Sequence, residues 1–397
     1  MVVQIACFLF TIPAALITGY YLMLAIYALA RKKNPPETYQ NPSSNIAIVI
    51  PAHNEERTIV KTLLSCKKLD YPNDIYKVYV IADNCSDRTA EIVKENNVVC
   101  YERSDNQNRG KGYALQWAID KILPEGYDAI LILDADCELD PRALKVFDGY
   151  LRCGAVVMQA KYVATNQDES PISYATAVGN LIENELFYSP KSKLGLAVFL
   201  QGTGMMFAAK ILERYPWRAF SVVEDVEYTF ELLRNDIDVK FVEEVKVMSE
   251  FPAGADQLSV QRERWAGGNL EFGRSHAIKL MWEGFLSKRI KLIDAGWTLL
   301  VLSRPLVLLN LSIVVALGCL SMIVSPGFIS LILFTTGICL SLIMSIYFLI
   351  GILLLGLTAK RFKLLLFTPI VIVRLTIIAV LGALGGGKKE WARTPRA

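Results

Sequence analysis

Ala129-Ile130-Leu131-Ile132-Leu133-Asp134-Ala135-Asp136 is the stretch that decides the reading of this chain. An unbroken apolar run of this length reads as a short buried strand. It ends on two carboxylates separated by one alanine. Outward from it, strands and helices alternate. Ile46 to Ile50 is a β-branched run and Glu56 to Lys67 carries a helical pattern. Tyr76 to Ala82 reads as a strand, and a helix follows that is capped near Ser86–Asp87. Asn108 to Ile122 reads as a helix, Pro141 opens another, and Val156 to Tyr162 is again a strand. This order predicts an α/β unit around a mostly parallel, doubly wound sheet, with ligands bound beyond the carboxyl ends of its strands.

Polar groups collect at those strand ends. Pro51-Ala52-His53-Asn54-Glu55-Glu56 follows the first strand and Asp83-Asn84-Cys85-Ser86-Asp87 the second. Arg109-Gly110-Lys111-Gly112 opens a helix, where backbone amides, small residues and two cations can meet a phosphate. A D-x-D triplet arises by chance about once in a chain of this size, and Asp236-Ile237-Asp238 is a second one. No apolar strand leads into it, so it reads as a solvated turn. Glu224-Asp225 starts a predicted helix; the pair either favours the helix dipole or supplies a general base.

The 397 residues are 53% hydrophobic, above the roughly 45–50% of soluble proteins. The excess sits in a few long runs. Val2 to Ala30 is uncharged and bilayer-length, and its positive residues, Arg31, Lys32 and Lys33, come after it, as in a signal anchor rather than a cleaved leader. Trp297 to Val324 and Phe328 to Leu357 read as a spanning hairpin around Ser325-Pro326-Gly327. Leu364 to Leu384 is interrupted by Pro369 and Arg374 and reads as an interfacial or re-entrant helix, with both ends on one side. Gln257 to Arg289 is amphipathic, which suits a helix at the membrane surface or, alternatively, an ordinary core-facing helix.

Basic clusters at Arg31–Lys33, Lys288–Lys291, Lys360–Lys363 and Lys388–Arg396 place the globular part and the C-terminus on the cytoplasmic side. The expected units are thus an N-terminal span over 1–30, a linker over 31–45, a globular domain over 46–255, interfacial helices over 256–296, a membrane hairpin over 297–357 and an interfacial helix with basic tail over 358–397. A net charge of +3 with cations confined to span ends gives no nucleic-acid face. Eight scattered cysteines without a CxxC pair form neither a disulfide framework nor a zinc site. The chain has no HExxH or GxSxG pattern, and its two histidines, His53 and His276, lie far apart in sequence.

Taken in order, Asp83, Asp134-Ala135-Asp136, Glu224-Asp225 and Gln261-Arg262-Glu263-Arg264-Trp265 (a QxxRW pattern) resemble the family-2 processive glycosyltransferases, the group of cellulose, chitin and hyaluronan synthases. Gln201-Gly202-Thr203-Gly204 resembles their acceptor-site loop. The resemblance covers roughly residues 46 to 290. It implies a Rossmann-like GT-A domain with membrane and interfacial helices, and transfer of a sugar from a UDP-sugar to a growing polysaccharide or a glycolipid.

By the same resemblance, Asp83, Glu55, Lys111, Asp134, Gln261 and Arg264 would hold the donor, and Asp134 and Asp136 would bind Mg2+ or Mn2+. Asp225, supported by Glu224, would be the base of a single inverting displacement. The Gln201–Gly204 loop and Trp265 would meet the glycan or lipid-linked acceptor. Trp391, Thr394 and Arg396 faintly resemble a gating segment. Two departures stand out: Val222-Val223 precedes Glu224 where many relatives have threonine, and three spans are fewer than cellulose synthases carry. A secretion partner or a homo-oligomer is the expected complement, in a multi-pass protein of the cell inner membrane. A catalytically dead sensor or scaffold would be expected to lack one of Asp136, Asp225 or Trp265, and all are present.

Overall fold

The protein is described from a computed structural model that covers residues 1–31 and 42–384, apart from the side chains of 264–266, 269 and 383. Helix α1 (Val2–Ala30) leads into the domain. There β1 (Ile46–Ala52), α2 (Ile59–Lys67), β2 (Tyr76–Asp83), α3 (Thr89–Glu95), β3 (Val99–Arg103), α4 (Lys111–Ile122) and β4 (Ala129–Ile132) alternate as their patterns require. β1 pairs in parallel with both β2 and β4, and β3 extends the sheet beyond β2. Side chains of β1 alternate between two fully buried faces. Ile46, Ile48 and Ile50 pack in a cluster with Leu63 of α2, while Ala47 and Val49 pack in one with Leu115 and Ile119 of α4. Full burial of such a side chain contributes roughly 1.5–3 kcal/mol, which makes this half of the sheet a rigid platform.

The second half corrects the expectation of a mostly parallel sheet. It contains β5 (Glu138–Leu139), α5 (Ala143–Arg152), β6 (Val157–Ala164), α6 (Pro171–Ile182), a π-helical turn (Glu183–Tyr188), α7 (Ser189–Lys193), β7 (Met205–Ala208), α8 (Ala209–Arg214), α9 (Glu224–Arg234) and β8 (Lys240–Ser249). The eight strands lie in the order β3-β2-β1-β4-β7-β6-β8-β5. β7 runs antiparallel to β4 and to β6, and β5 antiparallel to β8, so the sheet is mixed. The reversal has a positional consequence. Met205 pairs with Ile132, so the loop entering β7 arrives beside the carboxyl end of β4. Gln201–Gly204 is thereby delivered to Asp134.

α10 (Ala255–Leu286) is followed by α11 (Ile290–Val301), α12 (Arg304–Val324), α13 (Phe328–Leu355) and α14 (Ala359–Ala383). Among the described residues four helices, α1, α12, α13 and α14, are long and apolar enough to cross a membrane. The first three pack pairwise on one another. Gly318 lets α12 approach Phe334 of α13, where a Cβ would stand 2.9 Å from the phenylalanine Cα. Small residues serve this purpose where helices pack in lipid.

The run Trp297 to Val324 is not one helix, because it breaks at Leu302–Ser303. Pro305 opens α12, and Arg304 is drawn to the domain by Glu183 at 2.7 Å. The helix predicted over 364–384 starts earlier, at Ala359, and continues through Pro369. It packs on α6, α10 and α12. Arg361 forks onto Asp168 at 2.6 and 3.1 Å, and Arg374 donates to Ser259 of α10 at 2.9 Å.

Candidate active site

Lys111 is the hub. Its position at the first turn of α4 follows from Gly110, whose φ of +121° turns the chain into the helix. Gly112 then allows the close approach of Ala219, whose carbonyl oxygen lies 2.1 Å from where a Cβ would stand. Lys111 Nζ donates to Asp134 Oδ1 at 2.5 Å and to the Gly202 carbonyl at 2.7 Å, and lies 3.8 Å from Glu224 Oε1. Gly202 has φ +79°, and a Cβ there would stand 3.5 Å from both Asp225 Oδ2 and Lys111 Nζ. Asp134 N–H donates to Thr203 Oγ1 at 3.0 Å. The end of β4, the starts of α4 and α9 and the β7 entry loop thus bring Lys111, Asp134, Gly202, Thr203, Glu224 and Asp225 together.

Charge and burial set the chemistry of this cluster. Burial pushes the Glu224 carboxyl up to about 7, against the pull of Lys111. Burial likewise pushes Asp225 up to about 6, against the hydrogen bond from Val226 N–H and the Lys111 charge. Burial alone would lower Lys111, but the carboxylates of Asp134 and Glu224 hold it above the usual lysine range. A carboxyl with its proton equilibrium near neutrality is suited to accept a proton from a hydroxyl.

Donor atoms of Asp134, Asp136 and Cys137 lie within 4.8 Å of one another, close enough for one metal ion. The two carboxylates suit a hard divalent cation such as Mg2+ or Mn2+. The Cys137 Sγ contacts Asp136 Oδ1 at 3.6 Å, and burial with the neighbouring carboxylates keeps the thiol protonated. A protonated thiol is a poor ligand, so the set that fits is the carboxylate pair. Sequence reasoning passed over Cys137, whose only signal is its place directly after Asp136.

Asp83 and Glu55 lie at the ends of β2 and β1. Asp83 is buried, and Arg103 Nη1 donates to its Oδ1 at 2.6 Å. Arg103 also holds Asp105 and the Asn108 carbonyl, which shapes the segment leading to Lys111. Sequence reasoning missed Arg103, because nothing in the sequence shows that the last residue of β3 is buried against Asp83. Glu55 accepts from the Thr58 hydroxyl at 2.7 Å, while its own N–H donates to Thr89 Oγ1. Gln159, also missed, is fully buried in β6. It accepts from Gln201 N–H and donates to the Thr203 carbonyl, each at 2.8 Å, stapling the loop.

Gly204, at φ +65°, is pressed between Val247 and Ala160. Gln261 is half-buried on α10. Arg264 and Trp265 share that helix, but their side chains fall outside the described residues, as do Trp391, Thr394 and Arg396. The second triplet does not join the cluster. Asp236 takes φ +60° in the turn after α9 and pairs with Arg289, and Asp238 pairs with Lys291, each at 2.5 Å.

Residues 42–268 match the family described as Glycosyltransferase like family 2. The chain belongs to that family. Among relatives, the β-monoglucosyldiacylglycerol synthase of Trichormus variabilis is 28% identical over 64% of this chain and 56% of its own length. The poly-β-1,6-N-acetyl-D-glucosamine synthase of Staphylococcus epidermidis is 24% identical over 69% of this chain and 66% of its own. The chain spans a little over half the length of the first of these. A mannosyltransferase from Pyrobaculum calidifontis, solved with GDP-Man and Mn2+, superposes over 96% of this chain and 98% of its own with TM-score 0.61 at 18% identity. The fold is therefore of the GT-A glycosyltransferase type, with long apolar helices appended.

Proposed function

We propose that this family-2 glycosyltransferase moves a sugar from a UDP-sugar to a glycan or lipid-linked acceptor at the cytoplasmic face of the inner membrane, inverting the anomeric centre. The observation that carries the reading is the convergence of Lys111, Asp134, Glu224 and Asp225 around Gly202. It puts positive charge for a leaving diphosphate beside a buried carboxylate for an acceptor hydroxyl.

Asp225 takes the hydroxyl proton, the acceptor oxygen bonds to the anomeric carbon, and the bond from that carbon to the diphosphate breaks, releasing UDP. Lys111 offsets the charge that appears on the diphosphate. Asp134 and Asp136 would hold Mg2+ or Mn2+, which when bound supplies further positive charge there. Asp83, Glu55, Gln261 and Arg264 complete the donor side. Gln201, Gly202, Thr203, Gly204 and Trp265 form the acceptor side.

Products of the two relatives bear β-linkages by name, consistent with inversion from an α-linked donor. One is a glycolipid and the other a polymer, so both acceptor classes remain within this reading. α1, α12 and α13 would cross the bilayer, with α14 lying along α10 at the interface. The domain and the C-terminus would both be cytoplasmic. The test is purified full-length enzyme with UDP-glucose, UDP-N-acetylglucosamine or GDP-mannose, with Mg2+ or Mn2+. Released UDP, together with lipid-extractable or polymeric sugar, is expected. Turnover with GDP-mannose alone would overturn the UDP assignment, and no turnover with any donor would overturn the activity.

A further inference from the structure

Lys191 and Asp294 form an ion pair at 3.0 Å, with Lys191 fully buried and Asp294 only 6% exposed. Replacing such a pair by apolar residues is often neutral or stabilising, so stability is a poor reason for its presence. Its connections point elsewhere. Asp294, on α11, accepts from Tyr20 of α1 at 2.6 Å and from Ala197 N–H at 2.9 Å. Lys191 donates to Thr298 Oγ1, and its ammonium lies 4.8 Å from the Phe187 ring centre.

Ala197 begins the segment that ends in the active site. Along that segment, Leu200 N–H donates to Thr229 Oγ1 at 3.0 Å, and Thr229 Oγ1 donates to the Asp225 carbonyl at 2.7 Å. Gln201 N–H donates to Gln159, the Gly202 carbonyl accepts from Lys111, and Thr203 accepts from Asp134 N–H. Ala197 is the anchor at one end of this segment and the bonds at residues 200–203 hold the other, so the two together fix where Gly202 and Thr203 stand.

We propose that Tyr20, Lys191 and Asp294 are positioning residues that dock the 197–204 loop on the seat of α1 and α11 and so set the acceptor side of the site against Asp225. This rests on the proposed function for the meaning of the acceptor side. The donor side stands mainly on the β1–β4 platform and meets this loop through Lys111 and the Asp134 N–H, so a shift of the loop should cost donor binding much less than transfer. Misplacement of a reacting group by about 1 Å costs up to ~100-fold in rate.

The experiment uses full-length enzyme in detergent micelles with Mn2+, comparing Asp294→Ala, Lys191→Met/Asp294→Ala and Tyr20→Phe with wild type. Calorimetric Kd for UDP is expected to stay within about twofold in all of them. Asp294→Ala should lower both the melting temperature and the kcat of transfer, the latter by about 10–100-fold. The double variant removes the stranded Lys191 charge, so it should recover most of the melting temperature while kcat stays low. Tyr20→Phe, which loses one hydrogen bond, should show a smaller fall in kcat. Recovery of kcat together with melting temperature in the double variant would make the pair merely structural and overturn the proposal. So would a UDP affinity that falls in step with kcat. Absence of turnover in wild type with all three donors would instead sink the proposed function itself.

Discussion

Two Asp-x-Asp triplets sit in one chain, each facing a cation, and their neighbourhoods differ in burial and in what else they meet. Asp134-Ala135-Asp136 leaves a fully buried strand and meets Lys111, Thr203 and Cys137. Asp236-Ile237-Asp238 leaves a helix, turns through a left-handed residue and meets Arg289 and Lys291 at the surface. In the first, a carboxylate faces a lysine that the backbone also holds through Gly202. In the second, exposed carboxylates meet Lys291 and Arg289, the latter also donating to the Leu233 and Arg234 carbonyls, and such exposed ion pairs are worth at most about 1 kcal/mol each. The surroundings, not the motif, separate a candidate catalytic group from a latch between the domain and the start of α11.

The largest effect that would break this contrast concerns Asp225, the neighbour that only the first triplet has. Asp225→Asn keeps the shape and removes the proposed proton acceptor, so kcat for transfer should fall ~10²–10⁴-fold with UDP affinity retained. Glu224→Gln should be milder. Loss of UDP affinity with the rate per bound complex intact would make Asp225 a binding group.

A second, smaller effect is pH dependence. As the proposed base Asp225 would work deprotonated, and burial raises it to about 6, so kcat/KM should fall about tenfold per pH unit on the acid side of that value and level off above it. An acid limb centred near the ordinary aspartate value would show that the base is exposed.

The third effect tests how firmly the first triplet's loop is held. Gly204→Ala puts a Cβ 2.7 Å from Val247 Cγ2 and 2.8 Å from Ala160 Cβ at φ +65°. It should destabilise the fold by about 1–3 kcal/mol, read in denaturant melts. A neutral result would mean that the loop has slack.

The sequence showed β1, β2 and β4 of the parallel half well, because they are apolar runs ending in polar groups, but it did not show β3, the partly exposed strand at the sheet edge. Nor did it show β7. Met205–Ala208 is a short strand whose partners are set by non-local pairing, and its antiparallel insertion is what brings Gly202 to Lys111. The candidate residues at the hub were legible because they end strands or open helices. Gln159 and Arg103 were not, since a polar residue inside a strand shows its purpose only once its partners are placed. Arg304 is similar: an apolar count runs straight through it, whereas its bond to Glu183 and the following proline end one helix and begin another. The standing of α14 as a crossing or an interfacial helix depends on its packing against α10 and α6, which hydropathy does not carry.

The most direct measurement is a calorimetric titration of UDP into wild type, Asp136→Asn and Asp236→Asn, each with Mn2+ and again after chelation. Asparagine tolerates the left-handed conformation at 236, so that substitution leaves the turn intact. Wild type and Asp236→Asn should bind UDP alike with Mn2+ and weakly without it. Asp136→Asn should bind weakly in both conditions. Metal-dependent binding that survives in Asp136→Asn and disappears in Asp236→Asn would contradict the assignment of the donor site to the end of β4.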